Sequence, residues 1–200
     1  MGKVAGNEWK EEMTKNELQR WLEGGIFLFL FCLTVPVANW MIGHVGTTCV
    51  PNGPCLIPVA PKLMAPSGVL MIGIALVLRD LVQRRLGVRF GVLAILIGAG
   101  LSALVAPVSL VIASVCAFLL SEFADLAVYT PLARKRMVTA VIVSSLAGLV
   151  VDSIVFLWLA FGSLDFLAGQ VIGKAWMVLL SIPFVVLLRR RDEKIGLEPV

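Results

Sequence analysis

Apolar runs long enough to cross a bilayer recur along most of this chain, and no other feature constrains its fold as strongly. A membrane-spanning helix needs about 20 predominantly apolar residues. Runs of that order cover 25–44, 65–84, 90–106, 107–129, 137–161 and 166–188. A backbone in hydrocarbon must satisfy its own hydrogen bonds, so such runs predict helices. With 59% hydrophobic residues among 200 and a mean hydropathy of +0.96, the composition excludes a soluble domain.

The predicted fold class is an all-α membrane protein with six transmembrane helices over those ranges. Pro36 predicts a kink in the first, near Asn39 and Trp40. Pro66 suits the first turn of the second. The domain organisation is an amphipathic segment at 1–23, a transmembrane domain at 24–188 and a basic tail at 189–200. In the first segment Trp9, Met13, Leu18, Trp21 and Leu22 recur at roughly helical spacing, and Thr14 with Glu17 has the form of a capping box. The pattern predicts a short helix on the membrane surface or one that docks a partner. Mixed charge ahead of the first apolar run predicts a retained helix rather than a cleaved signal.

Six passes put both termini on one side, and basic residues choose the side. Arg84, Arg85 and Arg89 fall in one inter-helix stretch, Arg134, Lys135 and Arg136 in another, and Arg189, Arg190, Arg191 and Lys194 after the last helix. The opposite loops hold only Lys62. Both termini are therefore expected in the cytoplasm. The net charge of +4 follows from this clustering and predicts no nucleic-acid partner. The expected partners are the lipid bilayer, a small-molecule substrate and a second copy of the chain in a homo-oligomer.

The same orientation puts Cys49 and Cys55 outside, where oxidation is permitted. Pro51, Asn52, Gly53 and Pro54 can turn between them, so the pair is a candidate disulfide, with two free thiols as the alternative. Cys32 and Cys116 lie in apolar runs and read as packing residues.

Ionisable residues inside the runs need a reason, since a carboxylate at mid-helix costs about 2.5–3.5 kcal/mol even on lenient scales. Glu122 and Asp125 lie roughly 22–27 Å down the fourth run, at the level of Arg79 and Asp80 in the second, at 1.5 Å per residue. Arg79 is thus a candidate counter-ion for either acid, and Tyr129 continues their helical face. A second level holds Asp152, with Ser145, Gly148 and Phe156 on its face, and Lys174, one turn from Gln170. Gly169 and Gly173 form a GxxxG that admits a close neighbour. Bland readings stand beside these: Arg79 and Asp80 snorkel to the interface, Tyr129 belongs to the aromatic belt, and Asp152 with Lys174 merely ties two helices.

Four interior acids, Asp80, Glu122, Asp125 and Asp152, face two bases, Arg79 and Lys174. That deficit implies protonated carboxyls, a bound cation or a substrate rich in donors. A single histidine, His44, leaves no paired-His metal site, and no Walker A, GxGxxG or Cys-x-x-Cys motif is present. No cofactor, metal or catalytic residue is expected, and the chain reads as a non-enzyme.

The residues APSG…LRD…G in 65–87, SE..D..VY in 121–129, SS..G..VDS..F in 144–156 and the later Lys174 resemble the vitamin uptake transporter family. The resemblance spans roughly 65–185. Its best-understood members carry queuosine precursors, so it implies salvage of a 7-cyano- or 7-aminomethyl-7-deazaguanine for tRNA modification, across the bacterial inner membrane. A guanine edge offers two parallel donors, which a carboxylate accepts; Glu122 is the first choice. Gln170, Asn39 or Lys174 could meet the O6 acceptor, and Trp40, Phe156, Trp158 or Trp176 could stack on the ring. A cationic aminomethyl group would favour Asp125 or Asp152, with Arg79 as charge balance. The alternatives are a vitamin-type substrate-binding subunit served by a separate ATPase, and a membrane enzyme or structural protein.

Overall fold

A computed structural model describes the backbone of residues 2–49, 54–106 and 108–197, with side chains from Lys15 onward, Ser109 excepted. Six α-helices follow one another: α1 Gly2–His44, α2 Val69–Leu86, α3 Val88–Val105, α4 Val111–Ala133, α5 Met137–Phe161 and α6 Leu167–Ile195. A 3₁₀ turn, Val108–Leu110, leads into α4, and three short strands, β1 Thr48–Cys49, β2 Cys55–Ala60 and β3 Leu63–Pro66, fill the first long loop. Five of the helices are long and apolar enough to cross a membrane. The exception is α2, which carries Arg79, Asp80, Arg84 and Arg85 within 18 residues. All four are buried, so their charge faces protein rather than lipid. The chain is a multi-pass membrane protein built around the helix that buries the most charged side chains among the described residues.

That helix is central. It packs against α1, α3, α4, α5 and α6, while α4 and α5 form the most extensive helix pair. Where α2 crosses α6, each offers a glycine: a Cβ at Gly73 would stand 2.6 Å from the Lys174 carbonyl, and one at Gly173 2.7 Å from Val69. Large lipid-type side chains such as Leu104, Ile112, Leu180 and Leu187 point outward.

Several expectations are corrected at the helix ends. The surface helix expected before residue 24 is continuous with the first apolar run, because Gly24 and Gly25 stay within α1. Gly24 lies where a side chain would strike Leu86 of α2. Thr14 therefore lies inside a helix, not at the N-terminus that a capping box needs. The side chains of Trp9, Met13 and Thr14 lie outside the described residues. Pro36 is accommodated without ending α1. Ala65 and Pro66 belong to β3, not to a helix, and α2 starts at Val69. At the other terminus α6 continues through the expected basic tail to Ile195 and stops at Gly196, whose left-handed backbone (φ 66°) suits glycine.

The all-α expectation holds for most of the chain, to which three short strands are added. β1, β2 and β3 form an antiparallel sheet in chain order, with Cys49 opposite Cys55. These two cysteines are joined by a disulfide. The turn expected at Pro51, Asn52 and Gly53 lies outside the described residues. Gly169 lets α6 lie against this sheet, since a Cβ there would meet the Met64 carbonyl at 2.2 Å. The GxxxG thus receives a sheet and the start of α2.

Candidate functional site

Two polar levels lie inside the bundle, and a third closes one end. The first surrounds a cavity of about 80 Å³, which is room for roughly half a dozen waters. Lys174 of α6 projects into its wall and spends three donors there: Nζ bonds Asp152 Oδ2 at 2.5 Å, Ser153 Oγ at 2.8 Å and Gln170 Oε1 at 2.8 Å. The ammonium is only 1% exposed, so this full set of partners is what makes its burial tolerable. Ser153 in turn donates to the Leu149 carbonyl at 2.7 Å, which orients its lone pair toward the lysine. Asn39 reaches the cavity from α1, with Nδ2 donating to the Val35 carbonyl at 3.0 Å. Phe118 and Phe156 supply aromatic walls, and Pro66 and Gly68 close the rim beside the sheet.

The second level is sealed. Arg79 is 0% exposed and meets three carboxylates: Asp80 Oδ1 at 3.0 Å, Glu122 Oε2 at 3.1 Å and Asp125 Oδ1 at 2.9 Å. Its Nη1 also donates to Gln83 Oε1 at 3.2 Å, and its guanidinium stands 5.8 Å above the Tyr129 ring. Ser144 of α5 donates to Asp80 Oδ2 at 3.0 Å. The helices close up here because of Gly148, where a Cβ would lie 2.9 Å from Leu76 and 3.1 Å from the Asp125 Cβ. Arg79, Asp80 and Tyr129 are all fully buried, which removes the snorkelling and aromatic-belt readings for this state.

The third level joins α1, α2 and α6. Asp192 accepts from both Arg84 and Arg85, and Glu23 accepts from Arg85 and Arg191. Arg85 and Asp192 are each 1% exposed. Counting basic residues assigns Arg84 and Arg85 only a part in orientation. Their burial was not legible that way, because the partner acid lies 107 and 108 positions away.

The residues predicted for one site therefore divide. Asn39, Asp152, Phe156, Gln170 and Lys174 line the cavity together. Arg79, Glu122 and Asp125 form the sealed cluster, so Glu122 is not a cavity wall; its carboxylate is committed to the guanidinium. Trp40 and Trp176 are more than half exposed, the first stacked on His44 and the second donating Nε1 to the Val59 carbonyl at 3.0 Å. Trp158 is exposed too. Sequence reasoning passed over Ser102, Ser114 and Phe118, which line the cavity. Two serines in otherwise apolar runs were the available signal.

Comparison with known proteins bears on the part of the chain, under half of it, that holds most of these groups. Residues 103–188 match the family described as Putative vitamin uptake transporter. The matched segment begins near the end of α3 and runs to Leu188 of α6, so it contains Glu122, Asp125, Asp152, Gln170 and Lys174. Asn39, Arg79 and the disulfide sheet precede it. No curated protein and no solved structure matches the chain. The similarity is thus to transporters of the vitamin-uptake type, carried by α4, α5 and α6.

Proposed function

We propose that the chain is a bacterial inner-membrane transporter that takes up a queuosine precursor, a 7-cyano- or 7-aminomethyl-7-deazaguanine. The observation that carries this reading is the cavity, in which one carboxylate, two amides and two phenyl rings converge between helices. A flat heterocycle with donors along one edge suits that lining. Asp152 has one oxygen on Lys174 and the other without a hydrogen bond among the described residues, so Oδ1 is the acceptor for the ring N1–H. The Asn39 carbonyl oxygen accepts from the exocyclic amine, since its NH₂ already serves Val35. The Gln170 NH₂ donates to O6, its own carbonyl being held by Lys174. Phe118 and Phe156 stack on the ring.

This assigns to Asp152 the role first expected of Glu122. A bicyclic base is larger than the present space, so binding requires the helices around the rim to part. Six passes, α2 included, with both termini in the cytoplasm agree with the basic residues gathered at one end of the bundle and with Lys62 alone at the other. The full burial of the α2 charges supports counting it as a pass despite its composition.

The test is uptake of labelled 7-deazaguanines by cells unable to make them. Asp152→Asn and Gln170→Leu should each lower uptake at least tenfold at low substrate, about the loss of one or two charge-assisted or buried hydrogen bonds. No saturable uptake by the wild type would refute the substrate. Uptake that requires a co-purifying ATPase would instead make the chain a binding subunit.

A further inference from the structure

We propose that the sealed Arg79 cluster is a proton-binding site through which uptake is coupled to a proton gradient. The coupling rests on the transport reading above; the proton site does not.

Charge and burial carry the argument. Asp80, Glu122 and Asp125 are 0%, 2% and 0% exposed, and a single guanidinium stands among them. Ionised together, the three acids would leave two negative charges without compensation where water does not reach. Protein interiors avoid that state by holding protons on such groups. The unmade hydrogen bonds point the same way. Asp80 Oδ1, both Asp125 oxygens, Tyr129 Oη and Ser145 Oγ are buried with no hydrogen-bond partner among the described residues, Asp80 Oδ1 and Asp125 Oδ1 facing Arg79 as ion pairs. A carboxyl proton needs an acceptor, and the oxygens without an ion pair are the ones left open.

Among the ion pairs of the described residues, only those of Arg79 reach these three acids. On α2 the next cation, Arg84, is held by Asp192. On α6 Lys174 is held by Asp152, and Asp152 itself adds a further acid on α5. The charged residue of α3, Arg89, is exposed, and Glu23 of α1 serves Arg85 and Arg191. A metal ion is poorly suited, because the guanidinium already occupies the centre of the acids. The chemistry is a plain transfer: a proton arrives on a carboxylate oxygen from one side and leaves from it to the other, while Arg79 stays charged.

The cluster is also mechanically tied to the cavity. Ser144, which bonds Asp80, and Asp152, which faces the cavity, share one face of α5, roughly 12 Å apart at 1.5 Å per residue. Gly148 lies midway and presses α5 onto Asp125. A shift of α4 against α5 on ligand release therefore disturbs the cluster as well.

The experiment has two arms on the purified full chain. Infrared spectra of the ligand-free protein at neutral pH should show the carbonyl stretch of a buried protonated carboxyl, shifted in heavy water. At least one of Asp80→Asn, Glu122→Gln and Asp125→Asn should remove it. A wild-type spectrum without that band overturns the site, and this readout needs no variant to fold. In liposomes, an acidic exterior should raise accumulation of labelled 7-aminomethyl-7-deazaguanine several-fold, and a protonophore should abolish the gain. Equal accumulation without the gradient, or a sodium gradient serving in its place, overturns the coupling. Vesicles that take up no deazaguanine while the band is present contradict the substrate and support the proton site.

Discussion

Arg85 grips Asp192 through two parallel hydrogen bonds, Nη1 to Oδ2 at 2.9 Å and Nη2 to Oδ1 at 2.8 Å. Arg84 adds two more to the same Oδ2, at 3.0 and 3.1 Å, so one buried aspartate satisfies two arginines. Removing it would leave the buried Arg84 without its ion-pair partner and Arg85 with Glu23 alone. Asp192→Ala should cost about 3–5 kcal/mol, the usual penalty for breaking a buried pair from one side. Thermal unfolding in detergent would show it as a large drop in Tm, and an unchanged Tm would refute the role given to this pair.

The Asp152–Lys174 pair separates holding a structure from binding a ligand. Lys174→Met alone leaves a carboxylate in the cavity wall, whereas Lys174→Met with Asp152→Leu removes both charges. The double variant should recover much of the stability lost by the single, by roughly 1–4 kcal/mol. It should not recover uptake. Restored transport in the double variant would mean that the pair only ties α5 to α6.

Gly148 sets the distance between α4 and α5. A Cβ there already meets Leu76 and Asp125 at 2.9 and 3.1 Å, so a branched side chain has nowhere to go. Gly148→Val should destabilise by about 1–3 kcal/mol through overpacking. It should also push Asp125 off Arg79. Wild-type stability in Gly148→Val would show that the helices can spread here freely.

The Cys49–Cys55 bond closes a small loop at one edge of the sheet. On chain-entropy grounds a loop this short contributes about 2 kcal/mol. A reductant should lower the Tm of the wild type and leave the double Cys→Ser variant unchanged. Equal sensitivity of both proteins would show that the bond is absent in solution.

Much of this bundle was legible from residue order. Run lengths located α3 and α5 to within two residues at either end, and helical depth counting brought Arg79 to Glu122 and Asp152 to Lys174. Depth says nothing about azimuth, however. Counting along a helix put Glu122 at the level of Arg79 but did not reveal that its carboxylate is committed to that guanidinium and does not line the cavity. The sheet was hidden because Pro58, Pro61 and Pro66 argue against regular strands, yet β1 reaches only Cys55 and Leu56, so Pro58 of the middle strand has a paired neighbour on one side alone. Asp192 was hidden in the run 189–194, where acids set among basic residues look like surface.

The sheet is fastened to α6 at several points. Gly169 lies against Met64, Gly173 against Val59, and Trp176 bonds the Val59 carbonyl. β2 and β3 also form the hairpin that leads to Pro66 and Gly68 at the cavity rim. The disulfide-bonded sheet and the lysine-bearing helix are thus fastened to one another, like a handle fixed to its door. A tilt of α6 would therefore be passed through the sheet to Pro66 and Gly68, on the side of the cavity away from Lys174's own partners on α5.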